Sequence, residues 1–216
     1  KSFQSIPACG PKHVTAQRST AMSNPAINID LTAKARIRQV ALELFALNGS
    51  DGTSMRAISS RAGVTVGLIT HHFGTKAGLI QAVEDDLLEG IANAIAYQET
   101  DESVDGVVRK LDQRLLDHID ANPLVAAYLR RMMLIEGNGA GSDLTERFTR
   151  MALRQIQDLR RRGIASTSRD AEEQVMQVML VQLGQVLMQP FVDQIAGHLG
   201  QDPQRYQLSL RKTRSA

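Results

Sequence analysis

Apolar residues recur at helical spacing along most of this chain, and strand-like alternation is hard to find anywhere. The first clear period is Ile37, Val40, Ala41, Leu44 and Phe45, at i, i+3, i+4, i+7 and i+8. It predicts a helix from about Thr32 to Asn48, ended by Asn48-Gly49. Met55, Ile58 and Ala62 then define a short helix, with Ser54 as its N-cap and Gly63 where a helix end needs a left-handed residue. Thr65 can cap a third helix whose inward positions are Ile69 and Phe73. A fourth is expected from Thr75 to about Gln98, with Leu79, Ile80, Val83, Leu87, Ile91, Ala94 and Ile95 on one face. At about 1.5 Å per residue it would extend roughly 35 Å.

The acidic stretch Glu99–Gly106 reads as a loop and a domain boundary. Five helices are expected after it: Val107–Ile119, Leu124–Glu136, Ser142–Arg162, Arg169–His198, and a short one opened by Asp202-Pro203. Pro190 should kink or break the long one. Between Val175 and Met188 apolar residues cover two faces: Val175, Met176, Met179, Leu183, Val186 and Leu187 on one, and Val178, Val181 and Met188 on another. A helix apolar nearly all round is buried on more than one side. Val178, Val181, Gln185 and Met188 are therefore candidates for a two-fold dimer interface. Gln177, Gln182 and Gln185 interrupt this stretch, which reads as too short and too polar to span a bilayer, so no membrane partner is expected. Residues 1–30 show no apolar period and read as a disordered tail, with Met22 a candidate natural start. The expected fold is all-α, with a helix-turn-helix domain at 31–76 and a connecting helix and C-terminal helical bundle at 77–216.

Two short helices across a turn containing glycine are the helix-turn-helix pattern, and also that of an ordinary helical hairpin. Charge adds information. Residues 31–76 hold Lys34, Arg36, Arg38, Arg56, Arg61 and Lys76 against Glu43 and Asp51, while residues 77–105 hold eight acids and no Lys or Arg. The net charge of +2 conceals this asymmetry. The basic block coincides with the motif, as an electrostatic footprint for double-stranded DNA should. The acidic block is expected to point away from the phosphates.

The segment also resembles the TetR family of bacterial repressors. Arg36-Ile37, Ala41, Leu44, Phe45, Gly49, Thr53, Ile58, Ala62-Gly63-Val64, Gly67, His72-Phe73, Lys76 and Leu79 stand at the family's spacing over about residues 33–80. Gly67-Leu-Ile-Thr-His-His-Phe73 is most similar to the choline-responsive BetI branch, although seven residues identify no ligand. Thr70 stands where the family usually has Tyr, and Ser59 where it has Ala. The resemblance implies a homodimer on palindromic operator DNA, released by a small-molecule effector bound among the C-terminal helices. It places Thr53, Ser54, His72 and Lys76 against the DNA backbone. Val66, Gly67 and Leu68 occupy the first turn of the recognition helix, with Thr65, Thr70 and His71 adding polar contacts and Arg56 beside them.

Other chemistry is sparse. His71 and His72 are adjacent, so on a helix they point apart and share no metal. His13, His118 and His198 are isolated. No Gly-rich phosphate loop, Gly-x-Ser-x-Gly, Cys-x-x-Cys or His-Glu-x-x-His occurs, so no enzyme, metal or cofactor is expected. Cys9 is the one cysteine, which excludes an intrachain disulfide and fits a reducing cytoplasm. Met132, Met133, Met151, Met176, Met179 and Met188 fall in the C-terminal helices, either as core filling or as an adaptable cavity lining. With the resemblance, Tyr97, His118, Tyr128, Met132, Met151, Met176 and Met179 become candidate lining for a mostly apolar effector. The alternative is a constitutive DNA-bound protein acting through a protein partner.

Overall fold

A computed structural model of the chain describes residues 25–98, 103–136 and 143–202. Among these the order is α1 (Pro25–Asn48), α2 (Met55–Ala62), α3 (Val66–Phe73), α4 (Lys76–Ala94), α5 (Val104–Ala121), α6 (Pro123–Arg131), a π turn (Met132–Glu136), α7 (Leu144–Arg161) and α8 (Ala171–His198). No strand occurs among the described residues. Cys9, His13, Met22 and the Asp202-Pro203 helix expected from sequence fall at or outside the limits of the described residues.

Local chemistry sets the boundaries in the first half. Ser54 Oγ accepts from the Ala57 N–H at 3.1 Å and Thr65 Oγ1 from the Leu68 N–H at 3.2 Å, capping α2 and α3. Thr75 Oγ1 caps α4 in the same way, accepting from the Gly78 N–H at 3.1 Å. Gly63 ends α2 with φ +64°, the left-handed conformation in which a Cβ is strained. A Cβ on Gly78 would lie 2.1 Å from the Phe73 carbonyl oxygen, so α4 can start this close to α3 only with glycine there.

Three expectations change. The first helix begins at Pro25 rather than Thr32, so part of the tail expected to be disordered is helical. The fourth ends at Ala94 rather than Gln98. Side chains from other helices take the carbonyls at its end: Gln155 donates to the Ile95 oxygen at 2.8 Å, and Arg114 to the Ala96 oxygen at 3.2 Å. Those acceptors no longer need N–H groups of a continuing helix. Pro190 does not break α8, which runs through it.

One hydrophobic core passes through both halves of the chain. Ile37, Ala41 and Phe45 of α1 meet Ile58, Ile69, Leu79 and Val83, and the same cluster continues into Leu115, Val125, Tyr128, Leu129 and Phe148. α1 packs directly on α6, so the helix-turn-helix is seated against the C-terminal helices and not merely joined to them by α4. A smaller cluster, Val107, Leu111 and Leu159 with Tyr97 against it, holds the far end.

Candidate nucleic-acid interface

α3 is two turns long and buries Ile69 while exposing Val66, Gly67, Thr70 and His71; Leu68 is half-buried. A Cβ added at Gly67 would meet only Thr65 Oγ1, at 3.8 Å, so the fold does not require glycine there. The Thr70 hydroxyl donates to the Val66 carbonyl at 3.1 Å, within its own helix. His71 and His72 stand with ring centroids 5.3 Å apart, and His72 packs edge-on against Phe73. Among the described residues no cluster of metal-ligating side chains occurs.

The basic block is less free than its composition indicates. Lys34 Nζ lies 5.9 Å from the centre of the Phe73 ring. Arg36 Nε donates to the Ala62 carbonyl at 2.8 Å, satisfying the end of α2. Arg38 pairs with Asp86 at 2.6 Å, and Arg61 pairs with Glu43 through both carboxylate oxygens. Arg56, exposed on α2, and Lys76, half-buried at the start of α4, are the members of this set left without a described protein partner. They flank α3, and Lys76 sits where backbone N–H groups and the helix dipole favour an anion.

Thr53 corrects an expectation. It is only 2% exposed, and its hydroxyl donates to the Gly49 carbonyl at 2.8 Å and lies 3.2 Å from the Leu44 carbonyl. It ties the end of α1 to the start of α2 and offers a phosphate nothing. Ser54 is exposed, but its oxygen serves the α2 cap.

The expected effector lining does not converge. Tyr97 belongs to the small far cluster, with the Arg162 guanidinium 5.1 Å from its ring centre. Tyr128 and Met132 are buried in the main core, while Met151 and Met179 are half-buried against it. Met176 is 59% exposed, because it projects from the outer face of α8. His118 faces a separate cleft beside α1. An open groove of about 610 Å³ lies between α4 and α7; Asp85, Glu89, Arg147, Arg150 and Arg154 line it with charge, and Met151 is the one expected lining residue that reaches it.

The acidic block also departs from a simple solvated face. Glu84 is fully buried; Tyr128 Oη donates to its Oε1 at 2.9 Å and Arg147 Nη1 to its Oε2 at 3.2 Å. Arg147 also reaches Asp85 and lies 3.4 Å from Asp143. Nothing in its local sequence marks Glu84 apart from its neighbours; its place on the apolar face beside Ile80 and Leu87 is the one available signal.

On the outer face of α8, Met176, Leu180, Met188, Phe191, Ile195 and Leu199 form an exposed apolar stripe, stepping by three, four or, across Gly184, eight residues. Val175, Val186 and Ala196 are buried on the opposite face. Of the sequence-derived interface residues, Met188 lies in the stripe, whereas Val178, Val181 and Gln185 are half-buried beside it. By length and composition α8 is apolar enough to cross a membrane, which the shorter Val175–Met188 stretch did not indicate.

A capped two-turn helix presented by a helix-turn-helix, seated on an all-helical C-terminal bundle, defines a class of DNA-binding regulators. Residues 37–83 match the family model described as bacterial regulatory proteins, tetR family. It is 48% identical over 67 residues to the HTH-type transcriptional regulatory protein RaaS of Mycobacterium tuberculosis, covering 31% of each chain. It is 38% identical over 80 residues to the HTH-type transcriptional regulator TtgR of Pseudomonas putida, covering 36% of this chain and 38% of that one. The matches thus span only about a third of these relatives' length. A solved tetR-family bacterial regulatory protein from Rhodococcus shares the fold, with a TM-score of 0.52 at 20% identity over 71% of this chain and 83% of that one. A structure from Syntrophomonas wolfei classed in the same family gives 0.63 at 16% identity over 74% and 83%.

Proposed function

We propose that this chain is a cytoplasmic, ligand-responsive transcriptional repressor that binds palindromic operator DNA as a homodimer. The carrying observation is the first turn of α3, with Val66 and Gly67 exposed and Leu68 half-buried, flanked in sequence by the cations Arg56 and Lys76, which have no described protein partner. Val66 and Leu68 suit thymine methyl groups, and Gly67 allows close backbone approach. The apolar stripe on α8 supports pairing with a second copy about a two-fold axis. Two α3 helices then fit successive major grooves when they stand about one DNA turn, roughly 34–36 Å, apart. An effector that prefers another position of α4 alters that spacing and lowers operator affinity.

Selection of binding sequences from a random DNA pool, followed by sedimentation of the complex, tests this reading. A palindromic consensus bound by two chains per duplex is expected. Failure to enrich any sequence, or a chain that stays monomeric at micromolar concentration, would sink it. Melting with metabolite mixtures then tests the effector, since a ligand bound to the folded form raises the midpoint.

A further inference from the structure

The cleft that His118 faces lies between α1, α4, α5 and α6, apart from the α4–α7 groove. Its volume is about 300 Å³. Leu42, Val83, Leu87 and Val125 supply apolar wall, and Arg38 and Asp86 supply charge. The α4 wall is closed by the His118 ring: a Cβ on Gly90 would stand 3.1 Å from its Nε2.

We propose that this cleft binds a compact organic carboxylate, anchored by Arg38. The guanidinium is the feature that asks for a ligand. Its Nε is buried, and although Asp86 Oδ2 lies 2.6 Å away, no acceptor is aligned with the Nε–H. A buried donor left in that state costs free energy, and an incoming acceptor recovers it. A cationic ligand would do the reverse, adding repulsion against Arg38.

Asp86 is a displaceable partner. Its side chain is 45% exposed, so it can turn to water. Partial burial, then the neighbouring Glu89 and Asp85 charges, hold its pKa above the ordinary value despite Arg38. A ligand carboxylate avoids that crowding. It meets the guanidinium with two parallel bonds while its apolar body covers Leu42, Val83, Leu87 and Val125. The volume is at the lower end for ligand cavities, which suits one ring or a short branched chain and excludes a long acyl tail.

Calorimetric titration of the full chain, without DNA, compares benzoate with its neutral counterpart benzamide. Because no DNA is present, the result is independent of the repressor reading. Saturable binding of benzoate and none of benzamide is expected. Arg38→Gln should weaken benzoate binding at least about tenfold, the equivalent of one charge-assisted bond. Asp86→Asn should strengthen it by removing the internal competitor. Both substitutions are of partly exposed helical side chains, and circular dichroism checks that the variants fold. Absence of benzoate binding, equal binding of benzamide, or indifference to Arg38→Gln overturns the proposal.

Discussion

Tyr128 donates its phenolic hydrogen to Glu84 at 2.9 Å, joining α6 to α4 across 44 residues of sequence in a fully buried bond. With Arg147 on the second carboxylate oxygen, the pair makes α4 the member that both α6 and α7 grip. Removing the Arg leaves a buried carboxylate without its cation, so Arg147→Ala should cost about 3–5 kcal/mol. Tyr128→Phe should cost about 1–3 kcal/mol. The double variant should depart from the sum, because both partners serve one buried carboxylate, Tyr128 on Oε1 and Arg147 on Oε2. Urea unfolding at one fixed chain concentration measures all three, and additive losses would refute the coupling.

Positioning and reading separate at the DNA. Lys76→Ala, and likewise Arg56→Ala, should weaken binding to every sequence alike and lower the slope of log K against log salt by about 1 per half-site. Leu68→Ala and Gly67→Ala should instead change which sequences are preferred, by about 1–3 kcal/mol per altered base pair. The open space around Gly67 means that alanine there leaves the fold intact. Binding curves on a panel of duplexes decide the matter; altered preference in Lys76→Ala with none in Leu68→Ala reverses the assignment.

Thr53 gives a test of opposite character. Thr53→Val keeps the shape and deletes a buried donor whose acceptors are the Gly49 and Leu44 carbonyls. Stability should fall by about 1–3 kcal/mol. The salt slope per bound dimer should not change, since no phosphate contact is lost. A lower slope with unchanged melting would restore Thr53 to the DNA backbone.

Charge on the α8 stripe should separate the subunits. Leu180→Glu or Met188→Glu places a carboxylate on an exposed apolar face, where it harms the isolated chain little but carries a desolvation cost in a dimer. Sedimentation equilibrium should show dissociation, with operator affinity lost in parallel. Val178→Glu, outside the stripe, should act mainly on folding.

Asp112 on α5 contributes a pH dependence. Burial raises its pKa above 3.8, against the opposing hydrogen bond from Gln182 at 3.1 Å. The folded state therefore holds the proton more tightly than the unfolded chain, and stability falls as pH rises from 3.8 through the folded value. Above that window the charged form is a constant penalty. Asp112→Asn should raise stability at neutral pH and bring no gain below the window. Melting profiles from pH 3 to 7 show whether the two proteins converge on the acid side, as expected; the wild type being the more stable at neutral pH would refute it.

The helix-turn-helix was legible because its signals are local. Ser54, Thr65 and Gly63 each act within three or four residues, so neighbours in sequence suffice to place them. The fate of charge was not legible, because it depends on partners far along the chain. Arg36 finds its acceptor 26 residues away, and Glu84 its donors 44 and 63 residues away. The end of α4 was misread for the same reason: Gln155, 60 residues on, takes the Ile95 carbonyl. Methionine spacing did not bring the expected residues to one site, since an apolar side chain fits an inner core, an outer stripe and a cavity wall equally well.

Lys34, Arg36 and Arg38 alternate along one turn of α1, and each holds a different later helix: α3 through Phe73, α2 through Ala62, α4 through Asp86. Several of the cations that make this domain look adhesive to any polyanion are engaged within the fold, Lys34 and Arg36 most fully. Binding to random DNA should therefore depend on salt less steeply than the number of cations in residues 31–76 suggests, since fewer of them are available to displace counterions.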